Sequence, residues 1–462
     1  MWLIIHLIII LGLSVRVALR PHRDPASRIA WILFIAVTPY VGALVYLLLG
    51  EVRPGGFRQK VVDKSTPLLH TASIPPMAES AFATAHSING FVPVTGNTGK
   101  LLDDSNATID ALVADIDEAK EHVHLLFYIW LSDNNGLKVV DAMVRAALRG
   151  VTCRVIVDDL GSRSLIRSKY WQAMKSAGVN VARAQKIGNI MMRIAKGRVD
   201  VRNHRKIIVI DNWVTYCGSQ NCADPEFLVK AKYAPWVDAV IRFEGAVARQ
   251  NQQLFLTDWL NCTREDLLYL VESPMPSCEQ GFVAQAIGTG PENTYSAMPE
   301  LFSTLMFSAR RELVITTPYY VPDDFMQASL CSSARRGVAT TLILPARNDN
   351  QFVGATSRSY YAELLDAGVS IYEYVGGLLH TKSLTVDGEL TLIGSANMDR
   401  RSFDLNFENN ILFYDRALTQ AVCDRQEEYI AQARRITKEE VAAWRWPYRL
   451  RNNILAMLSP IL

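Results

Sequence analysis

Two stretches of the chain set a histidine and a lysine two residues apart, then an aspartate, then a Gly-Ser-x-Asn turn. The first, HRKIIVIDNWVTYCGSQN, reads by spacing as His204-x-Lys206-x4-Asp211-x6-Gly218-Ser219-x-Asn221. The second, HTKSLTVDGELTLIGSAN, reads as His380-x-Lys382-x4-Asp387-x6-Gly394-Ser395-x-Asn397. One His-x-Lys pair on a strand is ordinarily a solvated edge. Surface residues have no reason to match in type and spacing at two distant places, so the repetition points to chemistry. Residues two apart on a strand face the same side, which gives each histidine and its lysine one common site. A lysine ammonium is a compact charge suited to a phosphate oxygen. Imidazole serves as nucleophile or as general acid/base near neutral pH. One motif is half of such a site. Two, joined by pseudo-two-fold packing, place a nucleophile on one side of phosphorus and a proton donor on the other.

The catalytic set is therefore His204, Lys206, Asp211, His380, Lys382 and Asp387. Asp211 and Asp387 belong to the signature, although pairing with a lysine or holding the turn after the strand are also open to them. Ser219, Asn221, Ser395 and Asn397 can bring hydroxyl and amide donors to a substrate phosphate; shaping the turns is their plainer role. Each histidine also needs a carboxylate to fix its tautomer. Glu408, in NFENNILF, follows His380 by 28 residues, and Asp238, in PWVDAVIRF, follows His204 by 34. These are the expected orienting groups, each placed by sequence in the same lobe as the histidine it follows.

The elements that position these residues also recur. HVHLLFYIWL (residues 122–131) is strand-like, then LKVVDAMVRAALRG is helical and VTCRVIVDD is a second strand. RELVITTPYYV (311–321) begins the same succession, through a helix ending in SSARRG to the strand VATTLILP. Each copy then has a helix closing on Ala-Gly-Val, at 177–179 and 367–369, where glycine stops the helix and valine opens a strand. Alternating strands and helices predict an α/β fold of two similar sandwich lobes, 86–275 and 276–462, that form one active site.

The first fifty residues differ. Segments of about 2–19 and 29–49 are apolar, and the second has 21 residues without a charge, enough to span a bilayer. Arginines follow the first segment rather than precede it, which favours an uncleaved amino-terminal membrane anchor of two helices over a signal peptide. Basic residues flank the second segment on both sides, so the positive-inside rule draws both flanks to the cytoplasm. Two full spans cannot satisfy that; a hairpin dipping into one leaflet can. Residues 51–85 read as a linker. Net charge is only +2, which marks no nucleic-acid binder. The seven cysteines form no CxxC pair, which argues against a disulfide framework or a zinc site.

The twin H-x-K-x4-D motifs with G-S-x-N resemble the phospholipase D superfamily. The paired amino-terminal segments and two-lobe spacing resemble its bacterial cardiolipin synthase branch, at the cell (inner) membrane with cytoplasmic lobes. The resemblance implies phosphatidyl transfer between two phosphatidylglycerol molecules through a phosphatidyl-histidine, without metal or cofactor. It makes His204 the nucleophile and His380 the acid/base. Phosphatidylglycerol and anionic membrane lipids are the expected partners. A basic, apolar insertion at 182–203, with Arg183, Lys186, Arg193, Lys196, Arg198 and Arg202, and the tail WRWPYRLRNNILAMLSPIL suit an anionic membrane surface or simply cover the core. A phospholipase D-type hydrolase, headgroup exchange with phosphatidylethanolamine, a superfamily nuclease and an inactive membrane scaffold are the competing readings. No oligomeric state is implied.

Overall fold

The computed structural model describes residues 2–20, 25–51, 74–186, 200–272, 280–291 and 296–457. The first lobe contributes β1 (Val94–Leu101), β2 (His122–Phe127), β3 (Thr152–Asp158), β4 (Asn180–Ala184), β5 (Arg202–Asn203), β6 (Ile207–Ile210), β7 (Val214–Gly218), β8 (Trp236–Val237) and β9 (Val240–Glu244). The second contributes β10 (Phe282–Thr289), β11 (Glu312–Thr316), β12 (Tyr320–Val321), β13 (Ala339–Pro345), β14 (Ser370–Tyr374), β15 (Leu378–Leu379), β16 (Ser383–Val386), β17 (Leu390–Gly394), β18 (Met398–Asp399), β19 (Asn406–Tyr414) and β20 (Ala433–Ile436).

Fifteen of these strands run in the order β20-β14-β13-β11-β16-β17-β19-β10-β1-β9-β7-β6-β2-β3-β4. The seam is the antiparallel pair β1–β10. Outward from it, β1-β9-β7-β6-β2-β3-β4 and β10-β19-β17-β16-β11-β13-β14 are the same arrangement, so the sequence repeat is a structural one. In each copy the outer three strands are parallel and joined by helices, while the strand after the histidine pairs antiparallel to the first of them. Strands β2 and β6 are buried at every residue, as a sheet covered on both faces requires. The crossover helix Asn134–Leu148 buries Val139, Val140, Met143 and Ala146 and is capped by Asp133, whose side chain accepts from the Gly136 N–H. Gly178 and Gly368 take φ of 97° and 100°, the left-handed stops expected before β4 and β14.

Two boundaries differ from the sequence reading. Part of the expected linker is a helix, Glu79–Asn89, because Ala81, Phe82, Ala85 and Ile88 form a buried stripe; it packs into the core of the second lobe although it precedes the first. The apolar amino-terminal region forms three helices where two were expected: α1 (Trp2–Ala18), α2 (Pro25–Val37) and α3 (Pro39–Leu49). Pro39 has no N–H to continue α2 and crowds the preceding turn, so the segment breaks there. Among the described residues no helix is long and apolar enough to cross a membrane. The expected seam at 272–281 and the basic insertion fall largely outside the described residues. At the insertion's edges, Arg183 pairs with Asp159 and Arg202 donates to the Gln185 carbonyl.

Candidate active site

His204 lies between β5 and β6, and His380 between β15 and β16. Each motif enters through a two-residue strand that pairs with the opposite lobe: β5 lies parallel to the start of β19, and β15 parallel to β8. The backbone N–H of His204 donates to the Phe407 carbonyl at 2.9 Å, and that of His380 to the Val237 carbonyl at 2.8 Å. The exchange brings Glu408, on β19, to Nδ1 of His204 at 2.9 Å. It brings Asp238, just after β8, to Nδ1 of His380 at 2.6 Å. The orienting carboxylates are thus the two expected residues with their histidines exchanged: each histidine is held by the other lobe. A carboxylate only accepts, so Nδ1 carries the donated proton and Nε2 keeps its lone pair for chemistry.

Lys206 and Lys382 are buried beside their histidines, donating to the carbonyls of His204 at 2.9 Å and His380 at 2.5 Å. Burial pushes Lys206 down to about 8 and Lys382 down to about 7, while Asp238 and Glu408 oppose the shift in both. Each lysine therefore feels both carboxylates, which places the four charges in one field. Burial also lowers both histidines; with the Lys382 charge added, His380 falls to about 4. Burial would raise Asp238 and Glu408, but His380 and Lys382 on the one, and His204 and Lys206 on the other, outweigh it and keep both below the usual carboxylate range. Two lysines and two carboxylates thus face one another around the two histidines in one buried site.

The serines do not face outward to a ligand. Ser219 Oγ donates to Asp238 at 2.5 Å and accepts the Ala239 N–H. Ser395 Oγ donates to Glu408 and accepts the Asn409 N–H. The repeated serine is a clamp on the orienting carboxylate. Asn221 Oδ1 accepts from the Ile129 N–H, whereas Asn397 Oδ1 is buried without a partner. The motif aspartates lie at the far ends of β6 and β16 from the histidines. Asp211 accepts the N–H groups of Lys120, Glu121 and His122, and Asp387 those of Arg310, Arg311 and Glu312. They tie down the turn that launches β2 and β11, so the structure keeps these two members of the expected catalytic set out of the reaction centre.

Other residues complete the site. Asn409 Oδ1 accepts the Lys206 N–H and its Nδ2 donates back to the Lys206 carbonyl. Ser402 and Asn406 add donors to Glu408. Arg205 is buried between Asp258 and the carbonyls of Glu408 and Thr289. The rings of Tyr128 and Trp236 pack on His204 and His380 at centroid distances of 5.0 and 4.6 Å. The signal for the asparagines was present in NFENN, where polar residues interrupt a strand that is otherwise apolar.

Residues 112–259 and 302–429 match the family described as cardiolipin synthase, PLD-like domain, and residues 1–51 match phospholipase D-nuclease N-terminal. The chain is 35% identical over 456 residues to cardiolipin synthase A of Escherichia fergusonii, covering 94% of this chain and 92% of that one. It is 34% identical over 480 residues to cardiolipin synthase A of Erwinia tasmaniensis, covering 100% and 98%. Among solved structures it is similar to phosphatidylserine synthase of Haemophilus influenzae, with a TM-score of 0.60 over 84% of this chain and 100% of that one. At 14% identity that likeness concerns the fold alone.

Proposed function

The chain belongs to the phospholipase D-like cardiolipin synthase family, and from that membership we propose that it joins two phosphatidylglycerol molecules into cardiolipin and glycerol at the bacterial cell membrane, with the lobes 86–275 and 276–462 on the cytoplasmic side. It is a phosphatidyltransferase. The reading of its mechanism is carried by one observation: two histidines, each held at Nδ1 by a carboxylate of the opposite lobe, beside two buried lysines.

Nε2 of His204 attacks the phosphorus of one phosphatidylglycerol, and the phosphorus–oxygen bond to the headgroup glycerol breaks. The departing oxygen takes a proton from Nε2 of His380, leaving a phosphatidyl-histidine and neutral His380. His380 then removes the proton from a hydroxyl of a second phosphatidylglycerol. That oxygen attacks phosphorus and displaces His204. Lys206 and Lys382 stabilise the charge that gathers on the phosphoryl oxygens. A bound phosphodiester raises the proton affinity of the neighbouring groups, which equips His380 to act as acid. One observation favours exchanged roles: His380 is pushed down to about 4 in the empty site, as suits a nucleophile that must be unprotonated.

The test is incubation of the protein in liposomes with labelled phosphatidylglycerol alone. Cardiolipin with free glycerol is expected. Phosphatidic acid as the main product would make the enzyme a hydrolase, and a requirement for phosphatidylethanolamine would change the donor. His204→Ala and His380→Ala should each lose activity, and the variant that still traps a phosphorylated histidine retains the nucleophile. Full activity in both variants would sink the mechanism.

A further inference from the structure

The amino-terminal helices carry a second inference, independent of the catalytic reading. Helices α2 and α3 fold back on each other about Thr38 and Pro39. Their arms touch through Gly42, where an added Cβ would lie 2.9 Å from the Ile35 Cα. One level further from the turn, the rings of Trp31 and Tyr46 meet at 5.2 Å. Both contacts join residues equidistant from the turn, as a helical hairpin requires. At its base, Arg16 of α1 grips Glu51 through two hydrogen bonds of 2.6 Å, and the Tyr46 hydroxyl donates to the same carboxylate at 2.7 Å. At its tip, the rings of Tyr40 and His6 of α1 lie 5.8 Å apart.

The outside of this unit is apolar. Leu11, Leu33, Val37, Val41 and Leu44 are each more than half exposed. Part of the turn's backbone is paired within it: the Thr38 N–H and hydroxyl both donate to the Phe34 carbonyl, and the Gly42 N–H donates to the Thr38 carbonyl. Pro39 brings no donor at all. Each such pairing lowers the cost of placing the turn in hydrocarbon, where an unpaired polar group is costly. The arms, of 13 and 11 residues, reach about 20 and 16 Å at ~1.5 Å per residue, well short of a hydrocarbon core of ~30 Å. In sequence the basic residues flank the hairpin: Arg16, Arg20, Arg23 and Arg28 lie before it or in its first turn, and Arg53, Arg58, Lys60 and Lys64 follow it.

We propose that residues 25–51 form a re-entrant hairpin that enters and leaves the bilayer through one leaflet, with the basic flanks on either side meeting the same anionic headgroup layer. Both flanks then obey the positive-inside rule together, and the catalytic lobes share the cytoplasmic side with the arginines that precede the hairpin.

Single cysteines test this in the full chain. Five of the native cysteines are buried, so Cys262→Ser and Cys278→Ser provide the background. Arg23→Cys and Ser65→Cys report the two flanks; Val37→Cys and Tyr40→Cys report the tip, with retained cardiolipin synthesis as the check on folding. In inverted and right-side-out membrane vesicles, an impermeant maleimide should label both flanks from the cytoplasmic face only. The tip should stay unlabelled from either face until detergent is added. Flanks labelled from opposite faces would make the segment a span and overturn the proposal. A tip labelled without detergent, from either face, would overturn the insertion.

Discussion

Replacing Asp387 distinguishes a signature residue that reacts from one that builds. In the native chain its carboxylate accepts the N–H groups of Arg310, Arg311 and Glu312 at 2.7–3.0 Å. Asp387→Ala leaves three donors at the head of β11 without that acceptor. A stranded donor costs about 1–3 kcal/mol, and these three sit where water can reach part of the site, so about 1 kcal/mol each is appropriate. Asp387 also has φ of 54°, a conformation in which alanine adds roughly 1 kcal/mol of strain. The total is about 4 kcal/mol. For a lobe of roughly 190 residues, with an unfolding entropy near 0.4 kcal/mol/K, the midpoint should drop by about 10 °C. Asp387→Asn keeps one acceptor and tolerates the left-handed turn, so about 4 °C is expected. Thermal unfolding followed by lobe fluorescence measures the first quantity. Cardiolipin formation well below the midpoint, normalised to folded protein, measures the second and should stay within about twofold of the parent. An asparagine variant of unchanged midpoint that is a hundredfold slower would refute the reasoning, because the aspartate would then act in the reaction.

Glu408→Gln and Asp238→Asn each remove the charge from a hydrogen bond worth about 1.5–3 kcal/mol, so each should slow turnover by roughly 10- to 150-fold. Single-turnover measurements should assign the two losses to different half-reactions, and equal effects on both would argue against separate roles. Ser395→Ala loosens Glu408 without removing a phosphate contact, so kcat should fall about tenfold with KM unchanged; a rise in KM alone would return the hydroxyl to the substrate. Lys382 and Lys206 sit at about 7 and about 8 in the empty site, below the ordinary lysine value. They are cationic below those values and lose charge as pH rises through them, so kcat/KM should decline on the alkaline side from about pH 7. Asp238 supports the Lys382 proton, so Asp238→Asn should move that limb to lower pH.

What the sequence made legible was the chemistry that repeats locally. The His-Lys pairs, the parallel strands and the glycine stops all depend on spacing within a few residues, and periodicity reports spacing. The exchange of carboxylates was not legible. Glu408 and Asp238 stand at equivalent places in two copies, and which lobe's strand β5 and β15 join is decided by packing at the seam. The serine roles were hidden for a related reason: a hydroxyl can serve a carboxylate or a phosphate, and the neighbour that decides lies on a different strand. Asp211 and Asp387 recur as faithfully as the histidines because both copies must anchor the same turn, so repetition alone does not separate anchoring from reacting. In the amino-terminal region, the apolar character of residues 29–49 reads as one continuous run, whereas Pro39 divides it into two helices.

The reciprocal pairing of histidines and carboxylates has the form of an isologous contact, in which residue i of one unit meets residue j of the other and j meets i. Within this chain it joins two halves of one polypeptide, so the two lobes are related as the subunits of a dimer would be, by a pseudo-two-fold axis, but are covalently fused. Neither half alone can orient its own histidine. Each half is, however, equipped to do so for a second copy of itself, since Glu408 would meet His380 across a dyad and Asp238 would meet His204. Fusion frees the two sides of that dyad from identity: Glu408 faces one histidine and the shorter Asp238 the other, and a symmetric reaction centre can assign different work to its two ends.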